Sequence, residues 1–167
     1  YDEMQIMFDK LEFIQKVFLD PEVTSIRIVA NPEKMVVQEA KRAFSYLQLY
    51  GYNVDAIIIN RIIPQIENEF LQKYISKQAD YIAEIEESFE PIPVFKVPHQ
   101  GQEVFGRTLL ESIGHSTYND RNPSVVLHVE TPLEVTTIED VYRVKLIIPY
   151  IYSKDIVRCK FGADFII

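Results

Sequence analysis

Apolar positions recur along this chain with two different periods, and the change of period divides it. Up to about residue 118, long segments with apolar residues three and four apart alternate with short unbroken apolar runs. Met4, Met7, Phe8, Leu11, Ile14, Val17 and Phe18 form the first stripe and predict a helix over residues 2–18. Asp20-Pro21 closes it, because a residue before proline disfavours helix. Ser25 to Ala30 predicts a short strand with a charged Arg27 inside it. Asn31-Pro32-Glu33 then reads as a helix start, with Asn as N-cap, Pro at the first helical position and Glu in the first turn. That helix runs to about Tyr50 and is closed by Gly51.

Val54 to Arg61 is the central stretch. Its unbroken apolar core, Ala56 to Ile59, predicts a strand buried on both faces, as in a parallel sheet covered by helices. It ends on Asn60-Arg61, and carboxyl ends of parallel strands border the ligand crevice of open sheets. From position alone Asn60 reads either as a turn residue ending the strand or as an amide offering a donor and an acceptor to a purine edge. After Pro64 a charged helix is expected from about Glu67 to Phe89, with Phe70, Leu71, Tyr74, Ile75, Ala79, Ile82, Ile85 and Phe89 on its apolar face. A third strand, Ile92 to Val97, stops at Pro98, and a last helix spans Glu103 to Tyr118 with a break expected near Gly114.

Beyond the turn-rich Asn119 to Pro123 the period falls to two. Leu133 and Val135, then Tyr142, Val144, Leu146 and Ile148, alternate with polar residues around a turn expected at residues 137–140. Residues 156–159 and 164–167 predict a further short pair bent at Gly162. The expected architecture is therefore α/β, a parallel sheet with flanking helices over residues 1–123, followed by a small antiparallel β unit over 124–167.

Composition narrows the chemistry. The chain is 47% hydrophobic with a net charge of −8, which argues against the clustered Lys and Arg that nucleic-acid binding needs. No apolar run approaches a membrane span. The single cysteine, Cys159, excludes an internal disulfide, and the scattered His99, His115 and His128 show no metal-ligand spacing. No catalytic or metal-binding residues are assigned. The opening Tyr1-Asp2-Glu3 is neither a start methionine nor a signal peptide, and a piece of a longer, cytoplasmic protein is expected.

Residues Gly101 to Thr108 nearly match the phosphate loop Gly-x-x-x-x-Gly-Lys-Ser/Thr and follow a predicted strand. Arg107 replaces the lysine, and a planar guanidinium is a poor substitute for a point-charge ammonium on terminal phosphates. Glu103, Val104 and Phe105 also leave little glycine for close backbone approach, so the segment is read as a polar loop leading into a helix.

Taken in order, four segments resemble the carboxyl-terminal half of the ArsA-type ATPases, the family of arsenical pump-driving and tail-anchored-protein-targeting ATPases. They are Thr24 to Met35 with Glu39 and Arg42 beyond it, Ile57 to Arg61, Lys77 to Ile85 leading to Pro91–Pro98, and Glu103 to Leu110 followed by Tyr118 to Pro123. The resemblance implies a partial P-loop NTPase-type sheet in which Asn60 and Arg61 meet adenine and Val97, Pro98, His99 and Gln100 line the adenine pocket. It implies ATP and Mg²⁺ as cofactors of the parent protein, a homodimer, and a membrane-protein partner. Pro132 to Tyr150 and Lys154 to Ile156 resemble the start of a small-heat-shock-protein-like β domain. The family's phosphate loop and catalytic aspartates belong to its other half, so this chain alone is expected to be inactive. The targeting factors carry a Cys-x-x-Cys zinc pair after the Asn strand; residues 62–78 here contain no cysteine. The rival reading is a noncatalytic protein-binding module that uses the edge of the β tail.

Overall fold

The computed structural model describes residues 2–119, 121–129, 133–138, 141–146, 160–161 and 165–166. In chain order the first part runs α1 (Asp2–Leu19), β1 (Ile26–Ala30), α2 (Lys34–Leu49), β2 (Val54–Ile62), α3 (Glu69–Phe89), β3 (Val94–Pro98) and α4 (Arg107–Tyr118). The three strands form one parallel sheet in the order β1-β2-β3. β2 is the central strand, as its apolar run requires: Val54, Asp55, Ala56, Ile57 and Ile59 are all buried.

Ile28, Ala30, Val54, Ile57 and Ile59 share one core with Val37, Ala40 and Phe44 of α2 and Ile85 and Phe89 of α3. The Phe44 and Phe89 rings meet edge-on at 5.4 Å. Val94 packs against that core, whereas the Phe95 ring packs at a tilt of 53° against Tyr118 of α4, with centroids 4.9 Å apart. Successive strand residues face opposite sides, so α2 and α3 cover one face of the sheet and α4 the other.

Several boundaries differ from expectation for local reasons. Asn31 and Pro32 do not start α2. A tight turn, with Glu33 N–H donating to the Asn31 carbonyl at 2.8 Å, comes first. Glu33, extended and without a side-chain cap bond, is the N-cap. The other end follows expectation: Gly51, at φ +79°, and Tyr52 return their N–H groups to Gln48 and Leu47. α3 is capped by Asn68, whose side chain accepts from Phe70 N and Leu71 N. Its buried face is Ile75, Gln78, Ile85 and Phe89; Phe70, Tyr74 and Ala79 lie exposed. α4 begins at Arg107 rather than at Glu103, because Gly101 and Gly106 take φ values of +70° and +86° that no helix continues through. It runs unbroken past Gly114.

α1 forms as expected but is not covered. Met4, Phe8, Leu11, Phe13 and Phe18 are each at least half exposed. Among the described residues its carboxyl end is tied down, by Thr24 Oγ1 donating to the Val17 carbonyl at 2.9 Å and by Leu19 beside Gly51.

In the tail, β4 (Leu133–Ile138) and β5 (Val141–Leu146) pair antiparallel from Leu133↔Leu146 to Ile138↔Val141, and β6 (Lys160–Phe161) pairs antiparallel with β7 (Phe165–Ile166). The expected turn residues Glu139 and Asp140, the expected strand at 156–159, Gly162 and the quoted Asp120, Pro132 and Tyr150 lie outside the described residues.

Candidate functional site

β2 carries polar side chains toward both of its ends, and each marks a different constellation. At the amino end stands Asp55, fully buried, beside Arg27 of β1. The guanidinium grips the carboxylate with two parallel bonds, Nε to Oδ1 at 3.1 Å and Nη2 to Oδ2 at 3.2 Å. Its remaining donors reach the Tyr118 hydroxyl at 3.3 Å and the Val125 carbonyl at 3.2 Å. Leu127 N–H adds a third bond to Asp55, at 3.1 Å, and Asn53 donates to the His128 carbonyl at 3.0 Å. Burial alone would raise the Asp55 carboxyl; the Arg27 hydrogen bond, the Leu127 N–H and the Arg27 charge outweigh it and hold the carboxyl below the ordinary carboxylate value. The Asp55 hydrogen bond raises Arg27 in turn, against the opposing effect of burial. A perturbed buried pair is a candidate site in principle. Here its bonds are spent within the chain, fastening residues 121–129 to the sheet.

The other end is built differently. β2 and β3 lose register between Ile59 and Ile62, where Arg61 takes a left-handed φ of +57°. His99 N–H returns to the Ile62 carbonyl at 2.8 Å and joins the two strand exits. A cleft of about 340 Å³ opens there, lined by Asn60, Arg61, Val97, Pro98, His99, Gln100, Gln102, Glu103, Val104 and Ile113. All six residues singled out from the sequence, Asn60, Arg61, Val97, Pro98, His99 and Gln100, are therefore on one wall or another of a single cavity. Gln102, Glu103, Val104 and Ile113 were missed, because their approach depends on the two left-handed glycines that fold the loop back.

The polar groups of the cleft are partly committed. Asn60 Oδ1 accepts from Arg61 N–H at 2.9 Å, which fixes the amide and leaves its NH₂ without a partner among the described residues. His99 Nδ1 accepts from Gly101 N–H at 3.0 Å, and Gln100 Nε2 donates to the Pro98 carbonyl at 2.7 Å. Val97, Pro98, Val104 and Ile113 supply apolar walls. The cleft thus combines apolar lining with amide, imidazole and carboxylate groups.

Arg107, from the near phosphate loop, is spent on Glu111 one turn along α4, at 2.6 Å. Among the described residues, no group of three or more His, Cys, Asp or Glu could hold a metal ion. No helix among them is long and apolar enough to cross a membrane.

Comparison with known proteins gives a consistent picture. A family model described as "Anion-transporting ATPase" matches residues 1–119. The protein named "Putative arsenical pump-driving ATPase 1" of Aquifex aeolicus is 38% identical over 172 residues, covering 100% of this chain and 43% of that protein. A similarly named protein of Chlorobaculum tepidum is 38% identical over 151 residues, 90% of this chain and 37% of its own length. "ATPase GET3" of Scheffersomyces stipitis is 26% identical over 141 residues, 78% of this chain and 41% of its length. The chain thus spans less than half the length of these relatives.

Proposed function

Because the chain belongs to the anion-transporting (ArsA-type) ATPase family, we propose that it supplies the adenine side of an ATP site, as the carboxyl-terminal half of a larger ATP hydrolase. The observation that carries this reading is the fixed Asn60 amide at the mouth of an apolar-walled cleft. With Oδ1 held by Arg61 N–H, the amide cannot rotate freely. Its NH₂ can donate to N7 of adenine while the second lone pair of Oδ1 accepts from the 6-amino group. Guanine presents acceptors at both places and would meet Oδ1 unfavourably. Val97 and Pro98 pack on the ring.

Mg²⁺ and the phosphate-binding groups are assigned, by the family resemblance, to the other half of the parent protein. The parent is read as a cytoplasmic homodimer acting on a membrane-protein partner. Residues 1–123 form its α/β domain. Residues 124–167 are read as a small-heat-shock-protein-like β unit, a reading supported by the antiparallel β4–β5 pairing.

The test is thermal. Saturating ATP is expected to raise the melting temperature of the whole natural protein; occupancy at a hundredfold excess over Kd corresponds to about 2.7 kcal/mol. GTP should raise it less. No shift with either nucleotide would overturn the proposal. It would favour the second reading, a binding module, for which the β4–β5 sheet, two-stranded among the described residues, would take a partner strand along an edge.

A further inference from the structure

We propose that Gln78 is the positioning residue of this cleft: its buried side-chain amide holds the backbone of Ile63 and thereby sets where Asn60 and Arg61 stand. The inference rests on the base-pocket reading above and adds to it a residue outside the cavity.

Gln78 occupies a position of α3 where the apolar period calls for a hydrophobe, and it is 8% exposed. Burying an amide there is unfavourable unless both of its ends are bonded. Both are, and to the same residue: Oε1 accepts from Ile63 N–H at 2.8 Å and Nε2 donates to the Ile63 carbonyl at 2.8 Å. The side chain thus continues the ladder of β2 one residue beyond the point where the strand ends. Ile62, next to it, is held from the facing wall by His99 N–H.

These two anchors follow directly after Arg61. A left-handed conformation in a residue other than glycine is unfavourable and persists only where its surroundings over-determine it. The Arg61 N–H that holds Asn60 Oδ1 lies in the Asn60–Arg61 peptide plane, and the anchors on Ile62 and Ile63 fix the path of the chain that leaves that plane. Release of Ile63 would let Arg61 relax and the amide turn. Because Gln78 lies on α3, the position of that helix is communicated to the cleft through one side chain.

Three forms of the whole natural protein test this: unchanged, Gln78→Leu and Gln78→Glu. Leucine keeps the volume and removes both bonds. Its Kd for ATP should rise about tenfold, the equivalent of one to two lost hydrogen bonds, while the nucleotide-free protein still melts cooperatively. In Gln78→Glu the ionised carboxylate accepts from Ile63 N–H but faces the Ile63 carbonyl with a second acceptor, and burial raises its pKa. The ATP affinity of this variant should be weak at pH 8 and recover toward that of the unchanged protein as the pH is lowered and the carboxyl becomes a donor. If the unchanged protein binds ATP and both variants bind it equally well at every pH, Gln78 is merely structural and the inference falls alone. If the unchanged protein does not bind ATP, the base-pocket reading falls and takes the inference with it. Should neither variant fold, amide hydrogen exchange on the unchanged protein decides. Ile63 N–H should be protected and should slow further with ATP; exchange at the rate of a free loop, or protection indifferent to ATP, would overturn the proposal.

Discussion

The two ends of β2 make an instructive pair. Each sets a polar side chain into an otherwise apolar central strand, Asp55 five residues before Asn60. At the amino end the carboxylate receives bonds from Arg27 and Leu127, and Arg27 in turn reaches Tyr118 and Val125. At the carboxyl end the amide, which lines a cleft, is bonded among the described residues on its oxygen only. A buried polar group whose partners are all internal is architecture. On the reading proposed above, the half-buried Asn60 amide, held in place with spare hydrogen-bonding capacity, is left for a ligand.

The comparison breaks most visibly at Asp55. Replacing it with Ala leaves a partly buried guanidinium without its counter-charge and unfastens Leu127. Loss of about 3–5 kcal/mol is expected, the usual cost of removing one partner from a buried pair, read by urea unfolding. The same pair predicts a pH effect of definite sign. The folded-state pKa of Asp55 is depressed, so its stabilisation is present above the ordinary value of 3.8 and is lost as pH falls through the lower folded value. The stability gap between the unchanged protein and Asp55→Asn should therefore be constant near neutrality and shrink below about pH 4. A gap that widened on acidification would contradict the assignment.

At the other end the effect should be smaller and of another kind. Asn60→Ala is expected to leave unfolding within about 0.5 kcal/mol of the unchanged protein, yet to weaken ATP binding by about 1–3 kcal/mol. Calorimetric titration beside a melt separates the two. An equal loss of stability and affinity would make Asn60 another Asp55. The smallest effect is expected at Arg107, whose exposed intrahelical pair with Glu111 contributes a few tenths of a kcal/mol. Arg107→Ala should alter neither ATP affinity nor stability measurably; a large loss of ATP hydrolysis in the whole protein would revive the phosphate-loop reading.

How much of this is legible in the sequence depends on whether the signal is local. The unbroken apolar run of β2, the Gly51 helix end and the α3 stripe are properties of contiguous residues, and they place the parallel sheet and its helices. The Asn31-Pro32 start fails because a turn out of a buried strand intervenes, and the Gly101–Gly106 loop because left-handed glycines interrupt a helix that composition alone would begin at Glu103. Gln78 escapes notice because a polar residue in an apolar stripe looks like an interruption until its partner, fifteen residues away, is known. The Arg27–Asp55 pair does leave a trace: opposite charges inside two neighbouring predicted strands. For α1, periodicity marks the apolar face without saying what covers it. The gathering of six sequence-chosen residues at one cleft came from resemblance, and their contact with a nucleotide stands as the proposal to be tested.

The fastening of residues 121–129 to the amino end of the sheet also fixes the geometry of the tail. Hydrogen bonds to the sheet continue past residue 123 as far as His128, and β4 starts at Leu133. The four peptide steps from Val129 to Leu133 extend at most about 14 Å. β4 therefore begins within that distance of Val129, near the end of the sheet opposite the cleft. On the binding-module reading, a partner strand held by β4–β5 would be kept near that rim, at an effective concentration on the order of millimolar.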